Sequence, residues 1–229
     1  MPRKNSGFNF NDFVRELHEK TVQPALVETK QERRYFLIVS EGTRTEPIYF
    51  RFLSKSLPKN LLQTIHVHGE GDNTINIVRK AIELRAERTR NKTLPPYDEV
   101  WAVYDKDDFP PEHYHEAIQL AAQNGIESGH SNQSFELWYV LHFQFLQNAL
   151  HRDDYIRILT QQLGFKYTKN TEMVVQHILQ QGDEKQAIAR AEKLEQLHEG
   201  QNEAYSCPYT RVYELVRRLR AYMQPDETS

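Results

Sequence analysis

The sequence contains a single cysteine, Cys207, so the chain cannot form an intrachain disulfide or a metal site built from several thiolates. No apolar run approaches the roughly 20 residues that a membrane-spanning helix needs. The segment MPRKNSGFNFNDFVRELHEK lacks the apolar core of a secretory signal peptide. These absences predict a cytoplasmic protein without membrane contact.

A strong excess of charge is also missing, because the formal net charge is only -3. Proteins that depend on phosphate contacts are often strongly basic, so composition neither supports nor excludes nucleic-acid binding. Hydrophobic residues make up 38% of the 229 residues and aromatic residues 11%. The chain can therefore build a real core, as one large domain or as a core domain with a smaller appendage.

Three regions follow one another along the chain. Residues 1–32 are polar and predict an N-terminal arm, with a short amphipathic helix at 11–20. Residues 33–150 alternate apolar runs with helical patterns, which predicts an α/β core with a mostly parallel sheet of about four strands flanked by helices. In residues 151–229 only helical patterns occur, and these helices form either an appended subdomain or a cover for the sheet.

The individual elements are predicted from hydrophobic periodicity, Pro and Gly positions and capping residues. The predicted strands are 35–39, 62–68, 99–104 and 126–130. The predicted helices of the core are 46–57, 74–90, 112–124 and 134–148. The predicted helices of the C-terminal region are 153–165, 172–181, 184–198 and 208–223.

Acidic residues follow two of the predicted strands. Glu41 comes after the first strand, and Asp105, Asp107 and Asp108 come after the third. The carboxyl ends of parallel strands form the ligand crevice of open α/β sheets, so these carboxylates converge if the two strands are neighbours. Several hard oxygen ligands at one point favour Mg²⁺ or Mn²⁺. An ordinary solvated turn is the alternative, because Asp is common after strands.

Further candidates surround the same crevice. Glu136 begins an aromatic helix, where it is either a capping residue or a ligand of a second ion that Asn132 could orient. Gly71 lies in a Gly-Glu-Gly segment that lets the backbone approach a phosphate. Lys106 is placed to meet a phosphate group.

Four ordered motifs resemble those of RloB-like proteins. They are RRYFLIVSEG at 33–42 followed by TEPIYF at 45–50, GEGDNT at 69–74, VWAVYDKDDF at 100–109, and SNQSFELW at 131–138 followed by LHF at 141–143. Fainter similarity continues to PYT at 208–210 and Val212. Gln133 departs from the Pro expected in the fourth motif.

This resemblance implies a Toprim-like, Rossmann-like core, similar to the catalytic module of topoisomerases, primases and overcoming-lysogenization-defect nucleases. It implies that Glu41 acts in acid/base chemistry and that Asp105 and Asp107 bind Mg²⁺, with Asp108 as an auxiliary ligand. From their positions in the sequence, Lys106 is a further catalytic candidate and Glu136 a further candidate metal ligand. Gly42, Gly71 and Asn132 are the expected substrate-binding residues.

The resemblance also implies a role in defence against phage, including abortive infection, often beside an AAA-type ATPase. The leading hypothesis is a metal-dependent nuclease acting on DNA or RNA. Two alternatives remain open at this point, namely a non-catalytic partner of a defence ATPase and Toprim-type nucleotidyl transfer.

Overall fold

The computed structural model describes residues 34–42, 45–55, 57, 65–69, 74–169 and 171–222. The predicted N-terminal arm and its helix lie outside these residues, and so does Gly71. No helix within the described part of the chain is both long and apolar enough to cross a membrane.

A parallel sheet lies at the centre of the fold. Three five-residue strands form it, β1 (Phe36–Ser40), β2 (Ile65–Gly69) and β3 (Glu99–Val103), with β1 in the middle. A two-residue strand, β4 (Glu127–Ser128), pairs in parallel with β3, which gives the order β2-β1-β3-β4. The predicted α/β class with a parallel sheet is confirmed.

The fourth strand is shorter than the predicted 126–130, because the chain pairs with two partners in succession. The amide of Gly129 still donates to Ala102, and that of Ser131 to Tyr104, so the segment keeps following β3. At β5 (Ser131–Asn132) it turns to pair antiparallel with β6 (Tyr209–Thr210). This second, two-stranded sheet was not predicted from the sequence.

Eight helices occur among the described residues. They are α1 (Thr45–Lys55), α2 (Thr74–Arg90), α3 (Pro111–Gln123), α4 (Glu136–Leu141), α5 (Arg152–Leu163), α6 (Glu172–Gln181), α7 (Glu184–Leu197) and α8 (Val212–Ala221). The prediction for α6 was correct to the residue, and that for α2 likewise. The others differ at their ends, and α4 and α8 differ most.

The prediction of a helix over 134–148 was wrong in length. Helix α4 ends at Leu141 because partners from elsewhere in the chain take its last carbonyl groups: Arg190 donates to the Leu141 carbonyl at 2.6 Å, and the amide of Asp183 donates to the His142 carbonyl at 3.0 Å. The predicted start of the last helix at residue 208 was also wrong, because Tyr209 and Thr210 pair with β5 instead.

Helices cover both faces of the sheet, and this explains why every residue of β1 is buried. One face, which includes Leu37 and Val39, packs against α2 and α3. The other face, which includes Phe36 and Ile38, shares its core with α1 and with α4 to α8. The helices that follow residue 150 therefore complete the hydrophobic core of the sheet.

This shared core predicts a single cooperative unfolding transition. The Leu159→Ala substitution in α5 removes a fully buried side chain from the core that also contains Ile38. We expect it to lower the free energy of unfolding by about 2–5 kcal/mol. The measurement is urea unfolding, followed by tryptophan fluorescence and far-ultraviolet circular dichroism.

The control is Met173→Ala in α6, where the side chain is exposed. That variant should unfold within about 0.5 kcal/mol of the wild type. Two separate transitions, of which only one shifts in Leu159→Ala, would contradict a common core.

Candidate functional site

The carboxyl ends of β1 and β3 are joined by Glu41. Its backbone amide donates to the carbonyl of Val103 at 2.9 Å, and its carboxylate accepts a hydrogen bond from the amide of Asp105 at 3.1 Å. The two strands are direct neighbours in the sheet, so the predicted convergence of Glu41 and Asp105 is observed. Glu41 therefore lies within hydrogen-bond distance of the segment that carries the Asp-x-Asp motif.

Asp105 occupies the inner position of the site. One carboxylate oxygen, Oδ2, accepts from the amide of Phe135 at 3.0 Å. The other, Oδ1, is buried and has no hydrogen-bond partner. Burial raises the pKa of Asp105 well above its ordinary value, and the negative charges of Glu46, Asp107, Glu136 and Glu41 raise it further. The fold thus concentrates carboxyl groups around a side chain that has little access to water.

Glu46 is a member of this group that the sequence reasoning did not select. It lies in the first turn of α1 and is buried, and its Oε2 atom has no hydrogen-bond partner. Burial raises its pKa to about 7, against the lowering effect of a backbone hydrogen bond, and the charge of Glu136 adds to the increase. The position of Glu46 within the TEPIYF motif was the available signal, but a Glu before Pro at a helix start has an ordinary structural explanation.

Gly42 makes room for that carboxylate. A Cβ atom at residue 42 would lie 2.6 Å from Cδ of Glu46 and would overlap its carboxylate oxygens. A side chain at this position would therefore displace the acidic group. The geometry gives Gly42 a spatial reason to be glycine that is separate from the predicted substrate contact.

Glu136 enters the site from another direction, as the first residue of α4. It is buried, and its Oε1 atom accepts a hydrogen bond from the hydroxyl of Tyr167 at 3.1 Å and pairs with the ammonium of Lys169 at 3.0 Å. Tyr167 and Lys169 follow α5, so the C-terminal region supplies part of the site. Neither residue stood out in the sequence.

Asp107 and Asp108 share one partner, Arg152. The guanidinium donates to Asp107 at 2.7 Å through Nη1 and to Asp108 at 2.5 Å through Nη2. The backbone of Asp107 has a φ of +44°, a left-handed conformation that Asp tolerates better than most residues. The Asp108 side chain is largely exposed.

Two predicted site residues make contacts of other kinds. The ammonium of Lys106 donates to the carbonyl of Phe109 at 3.4 Å. The buried side-chain amide of Asn132 donates to the carbonyl of Ser206 at 2.8 Å and to that of Ala204 at 3.4 Å. Asn132 therefore fastens the segment before β6.

The donor atoms suit a small divalent cation. They are hard carboxylate oxygens, and two of them, on Asp105 and Glu46, are buried without a partner. Within the described residues, however, no three His, Cys, Asp or Glu side chains stand close enough together to hold a metal ion. Mg²⁺ commonly uses one or two carboxylates and keeps several waters, so the chemistry of the donors fits this ion while a closed cage of side chains is not formed.

Helix α8 carries arginines that pair with carboxylates outside the acidic group, Arg217 with Glu192 and Arg220 with Glu184. Arg218 likewise approaches the carboxylate of Glu99 at 3.6 Å. These ion pairs connect α8 to α7 and to β3.

Comparison with known families gives a match over most of the chain. The model of the RloB-like protein family matches residues 36–219. The chain belongs to the RloB-like protein family. The match includes the strands, the acidic residues and the helices that follow residue 150. No curated protein and no solved structure matches the chain.

The acidic group predicts a characteristic pH dependence for this RloB-like protein in the absence of metal. Because the pKa of Glu46 is raised from 4.5 to about 7, the folded chain holds this proton more tightly than the unfolded chain. The stability is then complete below about pH 4.5 and falls as the pH rises through 7. In chelator at pH 8, Glu46→Gln should therefore be more stable than the wild type by about 1–3 kcal/mol.

Urea unfolding of both proteins between pH 4.5 and 8.5 is the measurement, and the gain should shrink towards the acidic end. Glu83→Gln, on an exposed face of α2, is the control and should follow the wild type. A Glu46→Gln variant that parallels the wild type at every pH would show that Glu46 is not a strained carboxyl group.

Proposed function

We propose that this RloB-like protein is a divalent-metal-dependent nuclease that hydrolyses phosphodiester bonds in DNA or RNA. The observation that carries the proposal is the half-buried carboxylate of Asp105, whose Oδ1 atom is shielded from solvent without a partner and which is surrounded by other carboxyl groups. Such an arrangement is unfavourable in isolation, because burial and like charges both oppose ionisation. A divalent cation would remove that penalty.

Asp105 and Asp107 are the proposed metal ligands, with Glu136 and Asp108 as further ones. Mg²⁺ or Mn²⁺ would supply polarisation of the phosphodiester and activation of a water molecule. Glu41 is the proposed acid/base residue, since its carboxylate lies beside the Asp105 backbone at the mouth of the site. Gly42 and Lys106 would lie near the substrate.

Glu46 adds a second candidate for proton transfer. A general acid or base is most effective when its pKa lies near the working pH, and the pKa of Glu46 is raised to about 7. The Glu46 carboxyl group closely approaches Gly42, which follows Glu41 after β1. Proton transfer would then be shared between two carboxyl groups at one edge of the sheet.

A Toprim-type core is part of the same proposal. It is supported by the parallel order of β2, β1 and β3, with acidic residues directly after β1 and β3. A defence role and an AAA-type ATPase partner are proposed on the resemblance of the four motifs to those of RloB-like proteins. Because the net charge is only -3, a partner that delivers the nucleic acid would suit this chain.

The first test is Asp105→Asn, assayed on labelled DNA and RNA substrates with Mg²⁺ or Mn²⁺. We expect cleavage by the wild type and a loss of at least about 100-fold in the variant, because the substitution removes a charged ligand. Glu83→Gln, on an exposed face of α2, is the matched control and should cleave like the wild type.

Circular dichroism of Asp105→Asn checks that the fold is intact. Full activity of this variant, or full activity of the wild type in excess chelator, would disprove the metal-dependent mechanism. Absence of cleavage by the wild type with both ions and with the ATPase would favour the non-catalytic alternative. Extension of a primer with nucleoside triphosphates would indicate nucleotidyl transfer.

A further inference from the structure

Two cations from the region after residue 150 hold the outer carboxylates of the site. Arg152 bridges Asp107 and Asp108, and Lys169 pairs with Glu136. Both cations belong to segments that border the acidic group without being part of the sheet. The acidic residues that the proposed mechanism assigns to a metal are thus partly neutralised by the protein itself.

The inner carboxylates are not neutralised in this way. Asp105 Oδ1 and Glu46 Oε2 are buried and have no hydrogen-bond partner. Arg152 and Lys169 therefore pair with Asp107, Asp108 and Glu136, whereas these two oxygens have no partner among the described residues.

The two side chains of the Glu136–Lys169 ion pair differ sharply in their exposure to solvent. The Glu136 side chain is 3% exposed, whereas the Lys169 side chain is 48% exposed. The Arg152 side chain is 31% exposed. Both cations have long, flexible side chains with a route to solvent, whereas Glu136 is fixed in the interior. The two cations therefore have direct access to solvent, and that carboxylate does not.

The two cations are also of the chemical types that bind phosphate. A guanidinium that spans two carboxylates presents the planar fork that also binds a phosphate group. An ammonium pairs with phosphate as a point charge. A nucleic-acid backbone that reaches the site would offer both groups new partners.

We propose that Arg152 and Lys169 exchange partners, holding the acidic residues while the metal is absent and contacting the phosphodiester backbone of nucleic acid once a divalent cation takes their place. This inference rests on the proposed function. It assigns the substrate contacts of that site to the region after residue 150. It also makes metal and nucleic acid bind cooperatively. The metal displaces the two cations from the carboxylates, and the phosphates of the nucleic acid give the displaced cations new partners.

The exchange predicts that removal of either cation changes the affinities for Mn²⁺ and for nucleic acid in opposite directions. In Arg152→Gln and in Lys169→Gln a competing cation is removed, so Mn²⁺ should bind about 2–10-fold more tightly than to the wild type. The measurement is Mn²⁺ binding by electron paramagnetic resonance, without nucleic acid. The matched control is Arg157→Gln, on the same helix as Arg152, whose partner Asp154 lies outside the acidic group.

Nucleic-acid binding should change in the other direction. Ca²⁺ also prefers oxygen ligands and is the ion used in this arm. With labelled 30-nucleotide DNA and RNA probes in Ca²⁺, each variant should bind about 5–10-fold more weakly than the wild type. The slope of log affinity against log salt should decrease in magnitude by about 0.7–0.9, which is the effect of one lost phosphate contact. The preferred probe distinguishes DNA from RNA as the source of the phosphates.

Two outcomes separate this inference from the function on which it rests. Wild-type protein that binds Mn²⁺ no better than Asp105→Asn would overturn both. Wild-type protein that binds Mn²⁺, together with Arg152→Gln and Lys169→Gln variants that show neither tighter Mn²⁺ binding nor a smaller salt slope, would overturn the exchange alone. Circular dichroism of the variants confirms that they are folded.

Discussion

One oxygen of the Asp105 carboxyl group is buried at the carboxyl edge of the sheet, and the other acidic residues of the site are arranged around this group. Removing a carboxylate from water is costly unless a cation or several hydrogen bonds compensate it. The Asp105 carboxylate accepts a hydrogen bond from the amide of Phe135, and four neighbouring acidic groups oppose its ionisation. In the metal-free chain this group therefore holds its proton to an unusually high pH. The fold tolerates the cost because the large core on the same side of the sheet stabilises the whole.

The neighbours are brought in by distinct parts of the chain. Glu41 follows β1, Glu46 begins α1, and Glu136 begins α4. The short loop between β1 and α1 depends on Gly42, since a side chain there would collide with Glu46. The pairing of β1 with β3 places the loop that carries Asp107 beside them. The acidic group is thus a consequence of topology, because parallel strands end at the same edge.

Much of this arrangement is predictable from the sequence. The continuous apolar run at 36–40 predicts a strand buried on both faces, and acidic residues after two such strands predict convergence if the strands are neighbours. Long helices with clear periodicity, such as α2, were also predictable. These features depend on local pattern and on general rules of sheet topology.

Other features depend on contacts that no local pattern encodes. The early end of α4 is set by Arg190 and Asp183, which are more than 40 residues away in the chain. The short β5 and β6 strands each have only two residues, too few for a periodicity to show. Arg152 and Lys169 are ordinary basic residues in sequence, and they become part of the site only when α5 and the segment after it pack against α4. The helical pattern after residue 150 gives no indication of this role.

The sheet region and the region after residue 150 contribute groups of opposite charge to the site. The sheet supplies acidic residues with fixed positions, since β1 and β3 are held by ladders of backbone hydrogen bonds. The region after residue 150 supplies cations on flexible side chains that are partly exposed. The acidic residues and their counter-ions therefore differ in their access to solvent. Without Arg152 and Lys169, the carboxylates of Asp107, Asp108 and Glu136 would lose these ion pairs. The family match extends through both regions, as expected if the acidic residues and their counter-ions belong to one site.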